Sequence, residues 1–331
     1  MGKRALLTTM LALALLPASA RADGFGILGA AGSVDHGPYR YVSLVPATRP
    51  HLSVVERLDR RDTTVDRWWY LHGSWYLPAV AYDGSPGGLS ADGGTLVLTS
   101  VPHAYPPRRT RFAVLDTRLF LRHPGKGRRP HAITYVTLPG AFSFDAISPN
   151  GSRAYLIQNF YSRRRLTHYD VRALDLASGR LLPGRIVDPK EPEERMEGSP
   201  IARLQSPRGR WAYTLYEAKT PFLHALDTVR GRAVCVDLPQ LAGQREPFQL
   251  TMALGESGGR ITVSGHPVRK AKAPAEPLVE IDTKTFAVSP AGATATASRQ
   301  AGGAAGLPWL AIAAVAAAIA GAAAWRRKAA R

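Results

Sequence analysis

Two stretches decide the fold: Ser148-Pro149-Asn150-Gly151-Ser152-Arg153-Ala154-Tyr155 and, further along, Ala173-Leu174-Asp175-Leu176-Ala177-Ser178-Gly179-Arg180. The first reads as a tight turn feeding a strand, because Asn and Gly tolerate positive φ and a Ser-x-Asn-Gly segment caps the bend. The second reads as a strand ending in an aspartate that starts the next hairpin. Working outward, both landmarks recur. An aliphatic residue followed by Asp appears as Leu58-Asp59, Leu115-Asp116, Leu174-Asp175, Leu226-Asp227 and Ile281-Asp282, with the aspartates 57, 59, 52 and 55 residues apart. Ahead of each pair lies a turn: Asp35-His36-Gly37, Ser90-Ala91-Asp92-Gly93, Ser148-Pro149-Asn150-Gly151, Ser206-Pro207-Arg208-Gly209 and Glu256-Ser257-Gly258-Gly259. From turn glycine to paired aspartate the offsets are 22, 23, 24, 18 and 23, counted from Gly259 in the last unit. Five recurrences of two landmarks at a period of about 55 residues are the signature of a repeat architecture.

Each unit resolves into four strands. In the third they fall at 142–148, 154–158, 168–176 and 181–187, and the other units open at 25–31, 76–82, 201–206 and 248–254. Residues 23–290 carry no long 3.6-residue periodicity, so the domain is all-β. Four short antiparallel strands repeated radially form a β-propeller, which leaves few sheet edges exposed. The count is about five four-stranded blades, with six or seven left open.

The turn-strand segments Ser148–Tyr155 and Leu89-Ser90-Ala91-Asp92-Gly93-Gly94-Thr95-Leu96-Val97, with the Ala173–Arg180 hairpin, resemble the YVTN, TolB and WD40-like repeats of bacterial propellers across roughly residues 24–290. The chain departs from the WD40 pattern proper: it has no Trp-Asp dipeptide and no Gly-His at the blade starts. The resemblance implies the blade and hardly the function, since propellers serve as enzymes, scaffolds and receptors. One function it implies is a YVTN-type lactonase-like hydrolase with a site at the channel. Such a set of His, Arg and acidic groups cannot be assigned here residue by residue.

The ends carry the topology. Residues 1–22 read as a secretory signal, with Lys3 and Arg4 before an apolar run at 5–16 and small residues for cleavage after Ala20 or Ala22. Residues 307–325 are 19 residues without a charge, ten of them Ala, bounded by Trp309 and Trp325 and followed by Arg326-Arg327-Lys328. Length, interfacial tryptophans and the basic stop predict one transmembrane helix with a cytoplasmic tail at 326–331. Residues 291–306, rich in Ala, Gly, Thr and Ser, would be a flexible stalk between the propeller at 23–290 and the span. The Leu-Pro beside this segment, Leu307-Pro308, lies inside the apolar run and lacks Thr-Gly, which argues against sortase anchoring to the wall.

Of 331 residues, 43 are Lys or Arg and 25 Asp or Glu, giving a formal charge of +18. Seven of the basic residues belong to the end segments, and +11 remains over 22–325. Hydrophobic residues make up 45% of the chain and there is one cysteine, which excludes wholesale disorder and a disulfide scaffold. An exported compartment disfavours nucleic acid as a partner. The reading is therefore a single-pass membrane protein, with an envelope protein or anionic envelope polymer as the partner.

No H-E-x-x-H helix or phosphate-binding loop is present, and no cofactor or metal site is read. Cys235, in an apolar run, reads as a small buried hydrophobe. Asp145 and Arg203 each lie six residues before a turn glycine, so they occupy equivalent inner-strand positions on neighbouring blades, near Gln205 and Gln249. They are read either as an ion pair locking two blades or as a channel ligand site. Arg108 and Arg109, Arg128 and Arg129, and Arg163, Arg164 and Arg165 fall in loops. They are read as solvated loops or as one basic rim facing anionic lipid or wall polymer. Trp68-Trp69-Tyr70 and Trp75-Tyr76 suggest a sugar platform, but adjacent strand residues point to opposite faces, so half of them must pack between blades.

Overall fold

The structure, a computed structural model, describes residues 30–46, 49, 51–102, 104–119, 132–243, 247–265 and 275–292. The signal segment, span, tail and all of the stalk but residues 291–292 lie outside these residues, as do Arg128 and Arg129. No helix among the described residues is long and apolar enough to cross a membrane.

The chain enters on β1 (Ala30–Ala31) and builds a first sheet from β2 (Ser33–His36), β3 (Tyr39–Leu44), β4 (Leu52–Asp59) and β5 (Val65–His72), paired in that order. β6 (Leu77–Pro78) pairs back with β1. A second sheet holds three strands, β7 (Thr95–Thr99), β8 (Arg109–Asp116) and β9 (Ile133–Pro139). The third contains β10 (Ala141–Ile147), β11 (Arg153–Ser162), β12 (Arg165–Asp175) and β13 (Arg180–Leu181). The fourth contains β14 (Ser199–Gln205), β15 (Trp211–Glu217), β16 (Phe222–Asp227) and β17 (Arg232–Asp237). The fifth contains β18 (Thr251–Leu254), β19 (Arg260–Gly265), β20 (Glu276–Asp282) and β21 (Val288–Pro290). Every pairing is antiparallel and each of the five larger sheets is continuous in sequence, which is the blade pattern of a propeller.

The landmark residues build the turns as their chemistry requires. Gly151 N donates to Ser148 O at 2.9 Å, and Arg153 N donates to Ser148 Oγ at 2.9 Å. Ser90 repeats this with Gly93 and Thr95, and Ser206 with Gly209 and Trp211. The recurring aspartates accept backbone N–H groups just beyond them. Arg61 N reaches Asp59, Arg118 N reaches Asp116, Ser178 N reaches Asp175, Val229 N reaches Asp227 and Lys284 N reaches Asp282. In the fifth unit the left-handed turn residue is Gly258, at φ 69°, rather than Gly259.

Blades are joined by apolar side chains from facing sheets. Tyr41, Val55 and Trp69 meet Leu96, Leu98 and Leu115 between the first two blades. Phe112 and Val136 meet Phe144 and Leu156 between the next two. Ala146, Tyr155 and Val171 meet Ala212 and Leu226, and Leu215, Leu223 and Val236 meet Ile261, Val263 and Ile281. Each fully buried Leu or Val in these seams contributes about 1.5–3 kcal/mol. Among the described residues no such cluster joins the fifth blade to the first. The far side of the first sheet leaves Leu44, Trp68 and Tyr70 49, 54 and 59% exposed. Trp69 and Trp75 are buried, so the strand alternation read from sequence divides the aromatics as argued.

Three first-strand expectations and one outer-strand expectation differ from the structure. Of the expected strand at 25–31 only Ala30–Ala31 are among the described residues, and as β1 they pair with β6, while β2 is the first strand of the first sheet. At 76–82 the inner strand of the second blade is reduced to two isolated bridges, Tyr76 to Thr99 and Leu89 to Leu96. Pro78, Gly84, Pro86, Gly87 and Gly88 break the run, because Pro lacks a ladder donor and Gly weakens a strand. At 248–254 the strand begins only at Thr251, after a 3-10 turn over Pro247–Gln249. At 181–187 the outer strand is the two-residue β13 plus a bridge from Val171 to Ile186.

Candidate functional site

The segment that leaves the second blade at Pro78 folds into a hairpin. Ala79 bridges Pro86, Val80 N donates to Ser85 O at 2.9 Å, and Gly84 N donates to Ala81 O at 3.0 Å. Its tip reaches the inner strand of the fourth blade, where Tyr82 N donates to Pro200 O (2.9 Å) and Asp83 N to Ile201 O (3.1 Å). Arg203 N donates to Asp83 Oδ2 at 3.1 Å. The Tyr82 ring packs edge-on against Phe248, 5.2 Å between centroids, just before β18. A hairpin from blade two thus meets the inner strands of blades three and four and the turn that leads into blade five, which places it on the inner side of the blades. Ser85–Gly88, Phe144–Ile147 and Arg203–Gln205 enclose a remaining cavity of 160 Å³.

Asp145 and Arg203 meet on this inner side. Asp145 is the extra residue of a β-bulge between Phe144 and Ala146, and a bulge re-aims its side chain out of the regular alternation. Arg203 Nη1 donates to Asp145 Oδ1 at 2.6 Å and to Thr214 Oγ1 at 2.8 Å, and Nη2 donates to the Asp145 carbonyl at 2.8 Å. Both side chains are more than nine-tenths buried. Gln205 lines the same cavity, with Nε2 3.5 Å from Gly209 O. Gln249 lies exposed on its 3-10 turn and does not line it.

The seam between blades three and four holds a second polar group that the sequence did not single out. His224 is cross-strand from Thr214 and Cys235 and completely buried, and neither ring nitrogen has a hydrogen-bond partner. Burial lowers its pKa to about 4, against the upward pull of Asp145 and Asp188. The Cys235 thiol, partly buried, is pushed up to about 12 by desolvation and then by Glu194 and Asp188, which disfavours its thiolate. Among the described residues no three metal-ligating side chains gather.

The arginines divide. Arg108 and Arg164 line one groove of 660 Å³ with Tyr105, Gln158, Asn159, Phe160 and Tyr161, where blades two and three meet at the rim. Arg164 Nη2 donates to Tyr105 O at 2.9 Å, and the Tyr105 and Tyr161 rings meet edge-to-face at 5.5 Å. Burial, followed by the neighbouring Tyr105 hydroxyl, raises the Tyr161 pKa. Arg163 and Arg165 flank Arg164 at the tip of the β11–β12 hairpin, and Arg109 opens β8, exposed. Sequence reading found these arginines but missed the tyrosines and amides between them, which carry no local motif.

No family model and no curated protein sequence matches the chain. Solved propellers do. The β-propeller domain of Myceliophthora thermophila Cps50 (Swd1) is 11% identical, with TM-score 0.40, covering 76% of this chain and 72% of that one. The β-propeller domain of the trilobed protease from Pyrococcus furiosus is 9% identical, with TM-score 0.39 and coverage of 78% and 71%. A Bacteroides fragilis protein provisionally named a 6-phosphogluconolactonase is 13% identical, with TM-score 0.42 and coverage of 78% and 68%. The likeness is one of fold, and the propeller assignment rests on the sheet order, turns and seams described above.

Proposed function

We propose that the chain is an exported β-propeller, held on the extracytoplasmic side of a bacterial membrane by one C-terminal span, that works as a binding or scaffold module of the cell envelope. The end segments support the placement: a signal-like start at 1–22, and a charge-free run at 307–325 closed by Arg326-Arg327-Lys328. The observation that carries the binding reading is the filled inner side of the blades. Hairpin 79–86 is bonded to β14, and Asp145 and Arg203 on the inner strands of blades three and four are committed to each other, with Arg203 also bonded to Thr214. A channel hydrolase needs acid and base groups within reach of a substrate's reacting atoms. Here those groups are buried in a blade-to-blade lock, so the working surfaces are the rim and the blade faces.

The test is made on the full chain, expressed in a bacterial host with a tag on its C-terminal tail. Proteinase K added to spheroplasts should degrade the propeller and spare the tagged tail, and a variant ending at residue 306 should leave the membrane fraction. A propeller protected from the protease would overturn the placement. Turnover of sugar lactones by the purified chain, abolished in Asp145→Asn, would overturn the binding reading in favour of the lactonase-like one.

A further inference from the structure

The rim groove between blades two and three combines four features that a solvated loop does not need together. First, it is concave and, at 660 Å³, within the usual size range of ligand sites. Second, its walls carry Tyr105, Phe160 and Tyr161, aromatic bodies that pack on apolar faces, and Tyr105 remains partly exposed. Third, the groove includes amides. The Asn159 side chain is more than nine-tenths buried; its Nδ2 donates to Ser143 Oγ at 3.2 Å, while its Oδ1 has no partner. A buried acceptor without a donor carries a desolvation cost that a ligand hydroxyl reaching it would offset. Fourth, charge gathers without compensation. Among the described residues none of Arg108, Arg109, Arg111, Arg163, Arg164 and Arg165 forms a salt bridge with a carboxylate.

The hairpin tip adds strain. Arg163 and Arg164 sit at φ 48° and 69°, the left-handed region that Asn-Gly fills at little cost in a two-residue turn. Arginine at both positions stores strain, a condition that persists where the side chains have a task.

From this we infer that the groove binds an acidic glycan, a sugar chain bearing carboxylate or phosphate groups. This rests on the binding-module reading and names its ligand. Arginine forks match planar or tetrahedral anions, the tyrosine faces accept the C–H face of a pyranose, and the amides meet its hydroxyls. A flat nucleobase fits less well, because the Tyr105 and Tyr161 rings stand at 82° and cannot sandwich it. An anionic membrane surface would engage the arginines but leave the concave aromatic walls and the amides unused.

The test titrates the detergent-solubilised full chain with tetragalacturonate, followed by calorimetry. Neutral galactotetraose, inorganic phosphate, an eight-residue oligothymidylate and phosphatidylglycerol vesicles serve as comparison arms. Tetragalacturonate should bind at least about tenfold more tightly than galactotetraose or phosphate, and affinity should fall as salt rises. Arg108→Ser/Arg164→Ser should weaken it at least about tenfold, and so should the exposed Tyr105→Ala, while Arg60→Ser on the first blade leaves it unchanged. Equal binding of the neutral sugar, binding of phosphate alone at the same strength, or tighter binding of oligothymidylate or vesicles would overturn the inference. So would retained affinity in the double variant. A chain that passes the spheroplast test but ignores tetragalacturonate loses the glycan assignment and keeps the placement. A chain that binds the sugar but is protected from the protease does the reverse.

Discussion

Asp145→Ala removes the carboxylate that neutralises Arg203 and leaves a guanidinium more than nine-tenths buried between blades three and four. Of the three bonds Arg203 makes with its side chain, those to Thr214 Oγ1 and to the backbone carbonyl of residue 145 survive; only the one to Oδ1 is lost. Breaking a buried pair from one side costs about 3–5 kcal/mol, because the remaining ion is desolvated without compensation. The two surviving acceptors place this case near the lower end, at about 3 kcal/mol. Replacing both partners, as in Asp145→Leu/Arg203→Met, removes the stranded charge and should cost at most about 1 kcal/mol, since a packed apolar pair often matches a buried ion pair. The assay is urea unfolding of the full chain in detergent, followed by tryptophan fluorescence. With a slope of about 3 kcal/mol per molar urea, the single variant should lower the midpoint by about 1 M and the double variant by a third of that or less. A coupling energy near zero, with the double variant losing the sum of the two singles, would refute the claim that this pair locks the blades.

Two further predictions follow from burial. His224 is held neutral in the fold with its pKa near 4, below the value of 6.5 for an exposed imidazole. The unfolded chain therefore takes up this proton first as pH falls. The histidine's contribution is complete above pH 6.5 and is lost on the way down to pH 4, by about 3 kcal/mol in all. His224→Leu should flatten the stability profile over that window, and an unchanged slope in unfolding free energy would contradict the assignment. On the first blade, Trp69→Ala should cost about 3–5 kcal/mol as it empties the seam, whereas Trp68→Ser on the uncovered face should stay within about 0.5 kcal/mol; equal losses would mean the faces are reversed.

What the sequence disclosed was what local chemistry encodes. Ser148 with Gly151 and Ser206 with Gly209 close their turns using atoms within five residues, so a short motif suffices to read them. The same holds for the five hairpin aspartates. Asp145 and Arg203 were legible as neighbours because equal offsets from a turn glycine put them at equal heights on adjacent blades. Hairpin 79–86 was not legible, because its tip amides, Tyr82 and Asp83, find their partners on β14, more than a hundred residues away, rather than in their own blade. The groove failed for a similar reason. Tyr105 and Tyr161 meet only because β11 and β12 run 10 and 11 residues, longer than the other hairpins, and carry Arg164 out to the Tyr105 carbonyl. His224 has no bonded partner and so leaves no pattern to read.

The account turns on the filled inner side of the blades, and the amides of Tyr82 and Asp83 report on it directly. Both donate to carbonyls of the fourth blade, Pro200 and Ile201. Hydrogen exchange measured on the full chain should show these two amides slowed about a thousandfold or more against an unstructured peptide, on the scale of core strands rather than surface loops. Exchange of both at the rate of an exposed loop, with β14 still protected, would mean that the hairpin does not fill the inner side and would reopen the channel as the working site.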